Sequence, residues 1–236
     1  MVLQQNTEAK IWGWSDPRAK ITVSPSWNGK EYTCKADKDG RWSVAVETPA
    51  GSYTSYSLSI TDGNETATVS DILIGEVWLA SGQSNMEMPM RGFYNCPVEN
   101  ALEYICAPAA TDKIRMFTVP IKQSYEPLDE VQAQWKGAES STIPDMSATA
   151  FFFARKLNQM LDIPVGIVSC AYGGARIESW TPKEILETYP DENLDKAHIE
   201  SMSHYVRPYL AYNAMLNPVK GYTIKGFIWY QGCSNV

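Results

Sequence analysis

The sequence predicts an α/β protein: a parallel sheet with helices between its strands, preceded by a small antiparallel β-sandwich. Three observations lead there. Up to about residue 72, short β-branched and aromatic stretches are punctuated by turn residues. Beyond it, four short apolar runs are separated by helical patterns. Between the two regions no Pro/Gly/Ser-rich linker intervenes.

In chain order, the segments 10–14, 20–25, 31–36, 41–48, 56–62 and 65–74 read as strands. Ser15-Asp16-Pro17, Asn28-Gly29, Asp37-Lys38-Asp39-Gly40 and Asp62-Gly63-Asn64 separate them, all residue types that tolerate turn dihedrals. Trp42, Val44 and Val46 alternate with Ser43, Ala45 and Glu47, giving one dry and one wet face. This spacing predicts a sandwich over residues 1–72. The apolar runs 77–80, 114–119, 165–170 and 226–230 then read as strands buried on both faces. The spacing predicts a helix over 148–161, where Phe151, Phe152, Ala154, Arg155 and Leu157 mix apolar and charged faces and Pro164 ends the pattern. Segments 98–107, 182–188 and a stretch within 193–216 are further helices. Since 69–77 passes directly from one pattern into the other, the sandwich is expected to pack against a second domain at 73–236.

Composition removes several function classes. With 236 residues the chain can bury a sizeable core without staples. A net charge of −7, with no Lys/Arg-rich run, argues against nucleic acid as a partner. No apolar run approaches the ~18 residues of a membrane span, and Met1-Val2-Leu3-Gln4-Gln5 lacks the basic start of a signal peptide. The five cysteines lack CxxC or regular spacing, so free buried thiols are expected rather than a zinc site or a disulfide framework. Cys96 and Cys106 are near enough in sequence to pair, a matter of geometry that sequence leaves open. Aromatic residues make up 11%, which suits strand surfaces and sugar-stacking clefts alike. G-x-G-x-x-G after a strand, the P-loop, the G-x-S-x-G elbow and HExxH are all absent, and no metal or organic cofactor is expected.

Parallel sheets carry their sites at the carboxyl ends of their strands. There stand Ser81-Gly82-Gln83-Ser84-Asn85-Met86, Ala171-Tyr172-Gly173-Gly174-Ala175-Arg176 and Gln231-Gly232-Cys233-Ser234-Asn235. A serine to attack, glycine N–H groups that approach closely and an Asn amide are what acyl transfer needs. Taken singly, each has a plainer reading: Ser84 as a turn residue, Gly173-Gly174 as a turn, Asn235 as a cap.

Together, Gly82-Gln83-Ser84-Asn85-Met86, Gly173-Gly174 with Ile177-Glu178-Ser179-Trp180, and Trp229-Tyr230-Gln231-Gly232-x-Ser234-Asn235 resemble the first three blocks of the SGNH hydrolases in their sialate O-acetylesterase form. Tyr212-Asn213-Ala214-Met215-Leu216, Trp12-Gly13-Trp14 and the opening Met1-Val2-Leu3-Gln4 are similar too. The resemblance implies a three-layer SGNH, flavodoxin-like sheet, incomplete at its C-terminus. It implies Ser84 as nucleophile, with an oxyanion hole from the Ser84 N–H, that of Gly174 (or Gly173) and the Asn235 amide. Gln83, Asn85, Gly173 and Gln231 would contact or support substrate. It also implies an acetylated sugar as substrate, sialic acid or an acetylxylan-type ester, and a place outside the cytoplasm.

Two departures qualify this. The family's D-x-x-H lies downstream of the third block, whereas the sequence ends at Val236. The expectation is therefore a fragment, its Asp–His pair supplied by a C-terminal segment or a second chain, or else a carbohydrate-binding protein without catalysis. Asp195-Lys196-Ala197-His198 matches the string but precedes the third block, in a polar helical stretch, and reads as coincidence. Cys233 stands where the family has Glu, which removes one hydrogen-bond anchor.

Overall fold

The computed structural model describes residues 1–107 and 113–236. Six strands, β1 (Val2–Gln4), β2 (Glu8–Trp14), β3 (Lys20–Pro25), β4 (Tyr32–Lys35), β5 (Arg41–Glu47) and β6 (Ser52–Thr61), precede the longest one, β7 (Thr66–Gly82). Then come α1 (Ser84–Glu87), α2 (Ala101–Cys106), β8 (Ile114–Thr118), β9 (Trp135–Gly137), α3 (Ala148–Leu161), β10 (Val165–Ala171), α4 (Lys183–Leu186), α5 (Lys196–Ser201) and β11 (Gly226–Tyr230). The result is a mixed α/β protein built on a nine-stranded mixed sheet, with β2 and β5 paired separately.

The runs 65–74 and 77–80, expected as two strands, are one. β7 takes β6 antiparallel and β1 parallel along its first part, then β10 and β11 parallel along its last. The strand bulges at Asp71 (φ +55°) but keeps its pairing on either side of it, and Ile72 to Val77 are buried throughout. Position 72/73 thus lies inside a strand. The antiparallel region buries Ile11, Trp42 and Val46 of the β2–β5 pair against Ile21, Val23, Leu58, Ile72 and Ile74 of the large sheet.

Among β7, β8, β10 and β11 the spatial order is β11-β7-β10-β8, with short β9 antiparallel on the outside. A flavodoxin order would set β8 beside β7. Here β11 takes that place and β8 pairs on the far side of β10, so that β10, between two strands, has all seven residues buried whereas β8 is partly exposed. β10 feeds both cores: Ile167 packs with Met86, Met116 and Phe151 on one face, Val168 and Cys170 with Val77, Ala211 and Met215 on the other. β11 corrects the expectation of burial on both faces. It pairs only with β7, and Phe227 and Tyr230 are 68% and 50% exposed.

The helix at 148–161 forms as its sequence dictates. Ser147 caps it by accepting the Ala150 N–H, and Ala150, Phe151, Ala154 and Asn158 face the core. Asp162, in the left-handed region, ends it before Pro164. The other helices are shorter than expected, and 193–216 breaks into α5 and shorter helical turns, with Pro208 interrupting it. All five cysteines are free as expected, but only Cys170 is buried, which pushes its thiol well up; Cys96, Cys106 and Cys233 are exposed. No helix among the described residues is long and apolar enough to cross a membrane.

Gly75 marks the closest approach in the sheet. A Cβ there would lie 1.9 Å from the Pro164 carbonyl oxygen, which already accepts the Glu76 N–H. Both partners are backbone and neither can swing aside. Gly75→Ala is therefore expected to cost about 2–4 kcal/mol of stability. Urea denaturation checks it; an unmoved midpoint would show this approach to be looser than drawn.

Candidate active site

Parallel register puts the three strand tails side by side. Ser81 pairs with Cys170 and Trp229, and Gly82 with Ala171 and Tyr230. The segments that follow must therefore leave the sheet at one edge. Backbone bonds extend the pairing past the strands: the Gln83 N–H donates to Tyr230 O (3.0 Å) and the Tyr172 N–H to Gly82 O (3.1 Å).

Side-chain amides then lock the tails. Gln83, 5% exposed, accepts the Gly232 N–H through Oε1 (3.0 Å) and reaches Ser234 Oγ through Nε2 (3.5 Å). Gln231 Nε2 donates to Ala175 O (3.3 Å) and Asn235 Oδ1 (2.6 Å). Arg176 Nε holds Ser234 O (3.0 Å). Asn235 Oδ1 also accepts the Ile177 N–H (3.0 Å), while its Nδ2 lies 3.0 Å from both carboxylate oxygens of Glu178. Each tail is thus tied to at least one other, by Gln83 from a buried position and by Asn235 and Arg176 from exposed ones.

Ser84 opens α1 and is half-buried. Its Cβ is 3.7 Å from the point a Cβ on Gly173 would occupy, so the first and second tails touch at this residue. Neither its hydroxyl nor its N–H has a hydrogen-bond partner among the described residues. Gly174 adopts φ +77° and the Tyr205 ring fills the space beside it, 2.6 Å from where a Cβ would stand, so glycine is required on both counts. The Gly174 N–H likewise has no acceptor among the described residues. That of Gly173 does: it donates to the Glu87 carboxylate. Asn85 is exposed, and its carbonyl accepts from Thr149 Oγ1 (2.8 Å).

Three groups were not assigned from sequence. Glu87 stands three residues after Ser84, hence on the same face of α1. Burial raises its pKa, and the Gly173 N–H opposes that rise. Glu178 orients Asn235; it lies in the Ile177–Trp180 motif, but its partner is 57 residues away. His204 and Tyr205 form the third group: the His204 ring lies 6.1 Å from Tyr172 and 5.4 Å from Tyr205. Burial raises the Tyr172 pKa, as does Glu87, while Arg207 lowers it. His198 is exposed on α5, and no hydrogen bond joins it to Asp195 among the described residues.

The raised Glu87 pKa has a pH consequence. Folding favours its protonated form, so the folded state loses stability as pH rises from the unfolded-state value, about 4.3, toward the raised one. Glu87→Gln keeps an acceptor for Gly173 without the buried charge. Its thermal midpoint is expected to exceed the wild type's at pH 7 and to match it at pH 3.5, as read by calorimetry at both pH values. A lower midpoint for the variant at pH 7 would mean that the charge on Glu87 is needed by Gly173.

Residues 74–236 match the family model described as carbohydrate esterase, sialic acid-specific acetylesterase. Over all of the chain, the sequence is 32% identical to human sialate O-acetylesterase and 30% identical to the mouse protein. The structure resembles that of a carbohydrate acetylesterase from Xanthomonas citri, at 33% identity and a TM-score of 0.83 over 99% of this chain. The chain spans 47% and 50% of the human and mouse proteins and 49% of the bacterial structure, about half the length of each.

Proposed function

Because the chain belongs to the sialic acid-specific acetylesterase family of carbohydrate esterases, we propose that it carries the nucleophile half of a serine esterase that deacetylates sugars. The observation that carries this reading is the meeting of three tails at one sheet edge around a serine whose hydroxyl has no hydrogen-bond partner among the described residues.

In this reading the Ser84 Oγ attacks the acetyl carbonyl carbon, and the hydroxyl proton passes to a base. The carbonyl oxygen becomes an oxyanion, received by the Ser84 and Gly174 N–H groups and by Asn235. Collapse expels the sugar oxygen, which takes the proton, and water then releases acetate from the acetyl-serine. Gly173 serves the loop rather than the oxyanion, since its N–H is held by Glu87. Gln83 and Gln231 keep the tails in register, while exposed Asn85 is free to meet the sugar. An Asp–His pair on a segment beyond the third block, or on a second chain, supplies the base. In the same reading residues 1–72 make the β-sandwich and 73–236 the SGNH portion, joined through β7, and the enzyme acts outside the cytoplasm, as the family resemblance implies.

A second reading has one observation in its favour: both Asn235 Nδ2 and the Gly173 N–H already face carboxylates. That suits a protein that binds acetylated saccharides without cleaving them. Acetate release from an O-acetylated sialic acid by this chain, alone and with the downstream segment joined, separates the two. Turnover in either form supports the esterase; saturable binding with no acetate from either leaves the binding protein.

A further inference from the structure

Away from the three tails, β2, β4 and β5 meet the loop containing Asp129 and the turn at 217–221 around a cleft of about 550 Å³. It adjoins a second cavity of about 360 Å³, sharing Lys10, Trp12, Trp14 and Asp129 with it. Neither has a lining residue in common with the three tails. Volumes of this size hold a small ligand.

Two features define what fits. The first is aromatic. Trp12, Trp14 and Trp42 line the cleft, and Trp14 stays 46% exposed, far more than a core indole. Trp12 is braced edge-on by Tyr222 at 6.2 Å, which holds the wall rigid. Indole faces pack against the apolar faces of ring-shaped polar ligands, burying area at little entropic cost.

The second feature is charge. Lys10, Lys35, Arg41 and Lys220 line the cleft against Asp37 and Asp129, an excess of positive charge in a chain of net charge −7. Arg41 and Asp129 neutralise each other at 2.6 Å. Asp37 accepts the N–H groups of Asp39 (2.8 Å) and Arg41 (2.9 Å) through Oδ1, which holds the carboxylate in its own turn. Lys10, Lys35 and Lys220 are left with no carboxylate partner among the described residues. Lys10 Nζ instead lies 5.9 Å from the Trp12 ring centre. Three ammonium groups without a carboxylate partner, beside the exposed Trp14 indole, attract an anion that also presents a flat apolar face.

We propose that this cleft is a second saccharide-binding site, selective for sugars that carry a carboxylate. One ring stacks on Trp14, and its carboxylate is drawn by Lys10, Lys35 and Lys220. The site does not depend on Ser84 or on the esterase reading; beside an esterase site it would hold an acidic glycan chain while another residue of that chain is deacetylated.

Titration of the full chain with trigalacturonate, followed by tryptophan fluorescence and calorimetry, tests this, with maltotriose as the neutral control. The expected result is saturable binding of trigalacturonate, weakened about tenfold by Trp14→Ala, and by raising salt from 50 to 500 mM. The triple variant Lys10→Gln, Lys35→Gln, Lys220→Gln should bind the two trisaccharides equally, and Ser84→Ala should bind as the parent does. Should Trp14→Ala fail to fold by circular dichroism, the triple variant decides alone, because its three side chains are exposed. Absence of saturable binding overturns the proposal, as does binding that survives both cleft variants or is lost in Ser84→Ala.

Discussion

Ser84→Ala is expected to lower acetate release by about 10⁴–10⁶ in any form of the protein that turns over. The size follows from the role: without Oγ no acyl-enzyme forms, and what remains is whatever oxyanion stabilisation water attack can use. The structure also says what should not change. The Ser84 hydroxyl has no hydrogen-bond partner among the described residues, and the residue is half-buried, so its removal strands no buried polar group. The thermal midpoint should stay where it was while activity collapses. Activity retained within tenfold would remove Ser84 from the chemistry and direct attention to another nucleophile on the same edge.

Asn235→Ala should lower kcat by about 10²–10³ with little change in KM, the signature of a donor that acts on the transition state more than on bound substrate. Its amide is oriented on both sides, Oδ1 by the Ile177 N–H and Gln231, Nδ2 by Glu178. Glu178 is therefore a positioning residue. Glu178→Gln retains one acceptor but loses the charge, and its kcat should fall less than that of Asn235→Ala. The double variant should be no worse than Asn235→Ala alone, because Glu178 acts through Asn235. An Asn235→Ala enzyme with unchanged kcat would mean that the amide only ties the second and third tails together.

What could be read along the chain was what depends on neighbours in sequence. The helix at 148–161 was legible because its apolar face and its terminating Pro164 lie close together in sequence. The strands 20–25 and 41–48 were legible from alternation and flanking turns. Two strands escaped, β1 and β9, each three residues long and too short to show a period. The candidate site was legible as three separate tails, since glycine, serine and amide residues at strand ends are a local signal.

Their partners were not legible. Glu87 sits beside Ser84 in the sequence, yet its acceptor role needs Gly173 brought across 86 residues by the β7–β10 register. Glu178 and Asn235 meet only because β11 lies against β7, and the same placement leaves β11 at the sheet's side with Phe227 and Tyr230 exposed. The unpaired lysines of the β2–β5 cleft are likewise far apart in sequence. The sequence alone determined the longer elements, the family and the chemical groups available, because propensity and strand-end composition act over a few residues. Only the tertiary structure decided which N–H groups are free, which carboxylates take the others and where unpaired charge collects, because hydrogen bonding and burial are settled by contacts between distant segments.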